Sequence, residues 1–405
     1  MFKAKPITAI DIGTSLIKVL VARKEKEGLE ILAKTQIPSF GVRKGEVIKI
    51  NKVAENIQAA IDKIEKEFNF KIKSCFCNIN GAHLHSLPSQ GLVSVSRADR
   101  KISEEDIERV FRQTQAINLA SNKEILDIFP KEFIIDGEGG IKEPLGLSGV
   151  RLEVKVLLIC AFSPFLENLT KALLSTGIQI ADVIPSPLAS SFACLTPEQK
   201  ELGVALVDIG AETTGLAVFE EGDLIDLAVF PIGSANITND IALGLRTEID
   251  TAEQIKKEFC SLSKEKRKLK KGMKKEKREK IEIPEKFLVF SKKILDEIVY
   301  SRIGEIFDQI QKELKKISKQ ELLPAGVVLT GGGSLLSGID DYAKEKIKLP
   351  CRLAKFGNNI NLEENDLSFS TALGLLKSSD LNEKKDIKEN FGSGVKKFFK
   401  IFLPY

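Results

Sequence analysis

The sequence predicts an α/β protein of two related halves, with a small α+β unit inserted into the first. Two observations predict it. A strand ending in Asp-Ile-Gly and running into a hairpin occurs at Ile10–Ser15 and again at Val207–Thr214, which suggests a duplicated domain. Between the copies, residues 83–165 carry a strand-and-helix pattern of their own. The chain has 405 residues; at about 150 per domain that allows two to three domains.

Composition narrows the class. The chain is 43% hydrophobic, 29% charged and 6% aromatic. This is globular usage and excludes a disordered, collagen-like or disulfide-scaffold protein. No uncharged apolar run of the length needed to span a bilayer is present. The opening MFKAKPITAIDIG lacks a secretory signal. Net charge is +4, yet residues 264–280 hold eleven Lys or Arg against three Glu. The rest is therefore net negative, and no nucleic-acid partner is expected. Of six cysteines only Cys75 and Cys77 are close. One C-x-C pair is no zinc site, and scattered cysteines fit a reduced, cytosolic protein.

The elements follow in order. Ile7–Ile12, Leu16–Ala22 and Leu29–Ile37 alternate as three antiparallel strands. Val53, Ile57, Ile61, Ile64 and Phe68 share one helix face. Lys73–Ile79 is a short strand. Ser103–Asp106 is a capping box before a helix with Ile107, Val110, Phe111 and Ile117 on one side. Glu132–Asp136 and Val150–Phe162 are strands, and Phe165–Ser175 is a helix closed by Gly177. Gly203–Asp208, Thr214–Glu220 and Leu224–Phe230 repeat the opening meander. Residues 236–261 read as helical and 264–280 as an exposed loop. Ser291–Ile317 is one long helix with Ile294, Ile298, Ile306, Ile310, Leu314 and Ile317 in register. A strand, Gly326–Thr330, runs into Gly331–Ser334 and a further helix. Residues 378–394 are polar and poor in aliphatics, as in a flexible linker.

Several motifs could carry chemistry. Glycine in a hairpin lets the backbone approach a phosphate tail, and successive N–H groups form an anion nest. Thr14 and Ser15 add donors to the first loop, Thr213 and Thr214 to the second. Asp11 and Asp208 suit Mg²⁺ held through water. Gly331, Gly332, Gly333 and Ser334 allow a flat group such as adenosine to lie on the backbone. Neither a Gly-Lys-Ser/Thr phosphate loop nor G-x-G-x-x-G after the first strand is present. Glu253 and Lys256 share a helix face one turn apart and could meet ribose. His83 and His85, the two histidines, lack companion ligands and are expected to be structural. In the last eleven residues Val395, Phe398, Phe399, Phe402 and Leu403 fall within an arc of about 140°, opposite Lys396, Lys397 and Lys400. Such a basic amphipathic helix suits an anionic membrane interface.

The two Asp-Ile-Gly hairpins, Glu253/Lys256 and Gly331–Ser334 together resemble the actin/Hsp70/sugar-kinase superfamily, whose halves are ribonuclease H-like. Asp136-Gly137, the stretch Gly140–Glu153, Gly203–Thr214, Thr238–Ala242 and the tail narrow this to a resemblance to the bacterial cell-division FtsA family. That resemblance implies an actin-like fold in which residues 1–82, 166–202 and 370–377 form subdomain 1A and 83–165 an inserted subdomain 1C. Residues 203–235 and 327–369 would form 2A, 236–326 would form 2B, 378–394 a linker and 395–405 a membrane-targeting helix. It implies ATP and Mg²⁺ in a central cleft, with Asp11, Gly13, Thr14, Ser15 and Lys18 in one phosphate hairpin. Asp208, Gly210, Thr213 and Thr214 would form the other, with Gly233 nearby. Glu253 and Lys256 would take ribose and base, and Gly331–Ser334 the adenosine. It also implies self-assembly into filaments on the cytoplasmic face of the cell membrane at the division site. There the tubulin-like FtsZ would be tethered through 2B and later division proteins recruited through 1C.

This chain departs from the family pattern in places. Gly215 stands where the family has an acidic residue, and Gly233-Ser234 replaces a Gly-Gly. Ser186 occupies a turn where active relatives elsewhere in the superfamily carry a Glu that can orient water. General-base hydrolysis needs such a group, so ATP binding with slow or negligible turnover is expected. The rival readings are a PilM-like pilus-assembly ATP binder and a sugar or acid kinase.

Overall fold

The computed structural model describes residues 5–25, 28–68, 70–117, 119–262, 280–283, 288–319, 322–357 and 366–386. The basic stretch 264–279 and the C-terminal helix expected at 395–405 lie outside the described residues.

The first half opens with β1 (Ile7–Ile12), β2 (Leu16–Glu25) and β3 (Gly28–Pro38), an antiparallel meander. A small hairpin, β4 (Val42–Arg43) with β5 (Glu46–Val47), leads to α1 (Ile50–Phe68). β6 (Ser74–Ile79) then pairs parallel with β1. The inserted unit comes next: β7 (His85–Ser94), α2 (Glu104–Gln115), β8 (Lys123–Ile135), β9 (Glu138–Ile141) and β10 (Arg151–Phe162). The chain returns through α3 (Ser163–Leu174), β11 (Gln179–Pro185), α4 (Ser186–Cys194) and α5 (Pro197–Leu202). β11 pairs parallel with β6, completing the order β11-β6-β1-β2-β3.

The second half repeats this plan. β12 (Val204–Ile209), β13 (Thr214–Glu220) and β14 (Asp223–Phe230) form the same meander. α6 (Ser234–Leu245), α7 (Ile249–Phe259), the hairpin β15 (Lys280–Ile283) with β16 (Leu288–Ser291), and α8 (Lys292–Lys316) build the outer lobe. β17 (Val327–Thr330) pairs parallel with β12. A 3₁₀ turn at Gly332–Leu335, α9 (Ile339–Ile347), β18 (Cys351–Leu353) and α10 (Ser370–Asp386) finish the chain. The order β18-β17-β12-β13-β14 is that of the first sheet, so the duplication holds at the level of topology. The central strands β1 and β12 are buried almost throughout, as parallel pairing with covered faces requires. The inserted sheet β7-β10-β8-β9 joins the second sheet at one bridge, His85 to Ala228.

α4 and α10 form a shared layer between the halves. They cross so closely that a Cβ on Gly374 would lie 1.7 Å from the Ala189 carbonyl oxygen. Ala189, Leu188, Leu373 and Leu376 pack into one apolar cluster with residues of both sheets. Elsewhere the predicted elements need adjustment. The helix expected over 236–261 is two, because Arg246 takes a left-handed conformation (φ 54°) between α6 and α7. In α8 the buried face is Leu295, Val299, Ile303, Ile306, Phe307, Ile310 and Leu314, while Ile294 is exposed. Phe68 likewise ends exposed. The segment expected to be a linker from 378 begins as helix, since α10 continues to Asp386. Ser378 and Ser379 turn their hydroxyls onto the Leu375 and Leu376 carbonyls at 2.7 and 2.6 Å and are buried. A polar residue that satisfies itself on its own helix does not signal a loop.

The capping box is present in full. Ser103 Oγ accepts from the Asp106 amide, and the Asp106 carboxylate accepts from the Ser103 amide at 2.9 Å. The same carboxylate accepts from the Ser96 amide at 3.0 Å and pairs with Arg109. Burial alone would raise its pKa, but the hydrogen bonds from Ser103, Arg109 and Ser96 outweigh it and hold it below the usual carboxylate range. A depressed folded-state pKa contributes stability above the unfolded value and loses it as pH falls through the folded one. Asp106→Ala is therefore expected to weaken the inserted unit by about 2 kcal/mol at neutral pH, read as faster hydrogen exchange in peptides of α2. The gap to the unchanged protein should narrow as pH falls below about 4.

Candidate functional site

The two meanders place two tight turns opposite one another. In the first, the Gly13 N–H donates to the Leu16 carbonyl at 3.1 Å; in the second, Gly210 N–H donates to Thr213 at 2.8 Å. Both turns follow a strand whose penultimate residue is an aspartate, Asp11 or Asp208. Both carboxylates line one cleft of about 530 Å³, together with Gly13, Thr14, Ser15, Lys18, Gly210, Thr213, Glu253, Lys256, Gly331, Gly332 and Gly333.

Each carboxylate has its own holder. Asp11 accepts from Asn78 Nδ2 at 2.8 Å and lies 3.5 Å from Lys18 Nζ. Lys18 also donates to the Ser368 carbonyl at 2.5 Å. Asp208 accepts from Ser190 Oγ at 2.5 Å and Thr371 Oγ1 at 3.2 Å. Burial raises the pKa of Asp11; Lys18 works against this, and the charge of Asp208 adds to it. Burial likewise raises Asp208, against the Ser190 hydrogen bond and the charge of Lys18. Two desolvated acids with one lysine near them form a site short of positive charge.

The rest of the cleft is shaped by backbone. Gly331 has φ 84°, and a Cβ there would lie 2.3 Å from Asp208 Oδ1. A Cβ on Gly333 would lie 2.4 Å from Ile209 Cγ2. Gly331 thus lets β17 turn beside Asp208, and Gly332 presents bare backbone to the cleft. Across from it, Lys256 Nζ contacts Glu253 at 2.7 Å, Thr238 Oγ1 at 2.9 Å and the Ser234 carbonyl at 3.2 Å. Burial would raise Glu253, but Lys256 and Thr238 outweigh it and lower its pKa.

Three expected site residues do not line this cleft. Thr214 gives its hydroxyl to the Ile232 carbonyl at 2.8 Å and is fully buried. Ser334 donates to the Gly331 carbonyl at 2.7 Å and is also buried. Gly233 works behind the second turn, where a Cβ would strike the Ala211 and Gly210 carbonyl oxygens at 2.6 and 2.7 Å. Its bareness lets α6 dock, with Ser234 N–H on Gly210 and Ala235 N–H on Ala211. Sequence reasoning missed Asn78, Asn80, Ser190, Ser368 and Thr371. Asn78 and Asn80 had a signal, being amides at the end of an otherwise apolar strand; the others had none. His83 pairs with the Asn80 carbonyl and His85 with the His83 carbonyl, neither ring lines the cleft, and among the described residues no three His, Cys, Asp or Glu side chains gather as a metal site.

The sequence model for "Cell division protein FtsA" matches residues 205–374, and that for "SHS2 domain inserted in FTSA" matches residues 81–160. Cell division protein FtsA of Pseudomonas aeruginosa is 38% identical over 86% of this chain and 82% of its own. That of Bacillus subtilis is 33% identical over 93% and 84%, and that of Escherichia coli 30% identical over 98% and 96%. Among solved structures, a PilM–PilN type IV pilus biogenesis complex is similar with a TM-score of 0.63 at 17% identity, covering 91% of this chain and 97% of its own. MreB5 of Spiroplasma citri bound to ADP gives 0.55 at 13% identity, over 95% and 99%. These structural likenesses establish the actin-like fold. Matched in sequence along most of its length and by the model of the inserted unit, the chain belongs to the FtsA family of cell division proteins.

Proposed function

We propose that this cell division protein binds ATP with Mg²⁺ between its halves and assembles into filaments on the cytoplasmic face of the cell membrane at the division site. There it tethers FtsZ through residues 236–326 and recruits later division proteins through the inserted unit. The observation that carries the nucleotide reading is the convergence of both Asp-Ile-Gly turns, the Glu253/Lys256 pair and the bare Gly331–Gly333 backbone on a single cleft. Thr14, Ser15, Thr213 and the turn amides would face the phosphates. Glu253 and Lys256 would meet ribose and base, and Gly331–Gly333 the adenosine. Asp11 and Asp208 fit a hard divalent cation, since each carries a raised pKa that a bound positive charge would relieve. Mg²⁺, when bound, would neutralise part of the phosphate charge.

Turnover is a separate question, and the cleft supports slow hydrolysis. Ser186 accepts from Asn78 at 2.9 Å and donates to the Ile79 carbonyl at 3.3 Å. It offers no base where one would orient water. The family assignment supports the partners, as do exposed apolar side chains on the outer lobe (Leu243, Ile249, Ile294) and on the inserted unit (Leu145, Leu147, Val150). Among the described residues no helix is long and apolar enough to cross a membrane. Attachment is assigned to residues 395–405, whose sequence places apolar and lysine side chains on opposite arcs.

Asp208→Asn is expected to weaken Mg²⁺-dependent ATP binding roughly tenfold or more, measured by calorimetry. The same variant should raise the melting temperature of the nucleotide-free protein. The sign follows from linkage: a carboxylate with a raised folded-state pKa costs stability once ionised, and the cost disappears as pH falls through that value. For the same reason Mg²⁺–ATP affinity should decline on acidification before ordinary carboxylates titrate. Phosphate release in a single turnover is expected to be slower than about one per minute, because Ser186 stands where a water-orienting glutamate would be needed; a burst on the second timescale would rule out that part of the reading. On anionic liposomes with ATP, full-length protein should co-sediment and a chain ending at Asn390 should not; equal sedimentation would remove the membrane assignment.

A further inference from the structure

One small turn touches both Asp-Ile-Gly loops. The hairpin β4–β5 lies between β3 and α1, and its turn residues Lys44 and Gly45 have φ of 49° and 82°. Two successive left-handed residues make a tight type I′ turn. The Lys44 N–H donates to Glu212 Oε2 at 2.7 Å, and the Gly45 N–H donates to Thr14 Oγ1 at 3.0 Å. Thr14 belongs to the loop after β1 and Glu212 to the loop after β12. One turn therefore holds a side chain from each half. The turn is itself seated, because a Cβ on Gly45 would lie 3.0 Å from the Gly81 amide nitrogen and 3.1 Å from Asn80 C. Asn80 in turn donates to Thr213 Oγ1 at 3.0 Å.

We propose that Glu212 is a positioning residue for the nucleotide: its carboxylate latches the second loop onto the Lys44–Gly45 turn, fixes the spacing of the two loops and slows nucleotide release. This rests on the nucleotide reading given above. Ala211 and Thr213 line the cleft on either side of Glu212, which does not. Glu212 thus acts by holding the loop rather than by touching ligand. The donor is a backbone N–H, so the link survives any change in the Lys44 side chain and depends on the acceptor at position 212.

Removing Glu212 also removes a negative charge near the phosphates, an effect of opposite sign. Glu212→Ala and Glu212→Gln remove the same charge, and only glutamine keeps an acceptor. Their ratio therefore isolates the hydrogen bond. The test is the dissociation rate of a fluorescent ATP analogue with Mg²⁺ from the full-length protein and both variants, by stopped flow. Glu212→Ala is expected to release the analogue roughly three- to tenfold faster than Glu212→Gln, the value of one hydrogen bond. Melting curves of the two nucleotide-free variants should coincide. Equal release from the two variants overturns the latch while leaving the nucleotide reading intact. A Glu212→Ala protein melting well below Glu212→Gln makes the contact a support of the fold and overturns the positioning role. Absence of saturable binding to the unaltered protein removes the nucleotide reading and the latch with it.

Discussion

Two aspartates brought by separate strands into one water-poor cleft set the terms for everything around them. Taking one carboxylate out of water costs several kcal/mol, and a second one facing it adds repulsion. The chain answers with partners drawn from four different elements. Lys18 comes from β2, Asn78 from β6, Ser190 from α4 and Thr371 from α10. Those contacts soften the cost without removing it, and both acids keep raised pKa values. Under the proposed reading, a divalent ion bound with phosphate would supply the positive charge that one lysine leaves lacking.

The same requirement explains the layer between the halves. Ser190 and Thr371 sit on α4 and α10, whose helices cross at the bare surface of Gly374. Pushing these helices apart by the width of a methyl group would carry both hydroxyls away from Asp208. The packing of Ala189 against Gly374 is thus tied directly to the electrostatics of the cleft. The apolar cluster around Leu188, Leu373 and Leu376 fixes that crossing, because close-packed interiors shift in discrete steps rather than by gradual yielding.

Much of this could be read before the coordinates. The repeated Asp-Ile-Gly gave the duplication, the alternation in Ile7–Ile37 gave the meander, and Ser103–Asp106 gave the start of α2. These features are local: a strand period, a turn glycine or a capping box is written in adjacent residues. The partners of the two aspartates were harder to find that way. Asn78 stands out only as an amide at the end of an apolar strand, and Ser190 and Thr371 sit beside other serines; the role of each depends on a partner far away in the chain. The break at Arg246 was hidden because it lacks a glycine, and the length of α10 because serines that bond to their own helix look like linker. Thr214 was misplaced for a related reason: it opens β13 and spends its hydroxyl on the Ile232 carbonyl, whereas Thr213, in the turn before it, lines the cleft.

Duplication also explains why the two loops are not interchangeable. Their backbones close with the same i to i+3 hydrogen bond, from Gly13 to Leu16 and from Gly210 to Thr213. In register, Thr14 matches Ala211 and Ser15 matches Glu212, so the two hydroxyls of one loop correspond to a methyl and a carboxylate on the other. A symmetric pair of nests would hold a symmetric ligand in either direction. A triphosphate has two distinct ends, and a cleft that must tell them apart gains from unlike walls. The β4–β5 hairpin adds a further asymmetry, since it spends one N–H on each loop and meets a hydroxyl on one and a carboxylate on the other. The repeated backbone thus fixes where the phosphates would lie. Under the nucleotide reading, the hairpin would hold the two loops through these unlike acceptors.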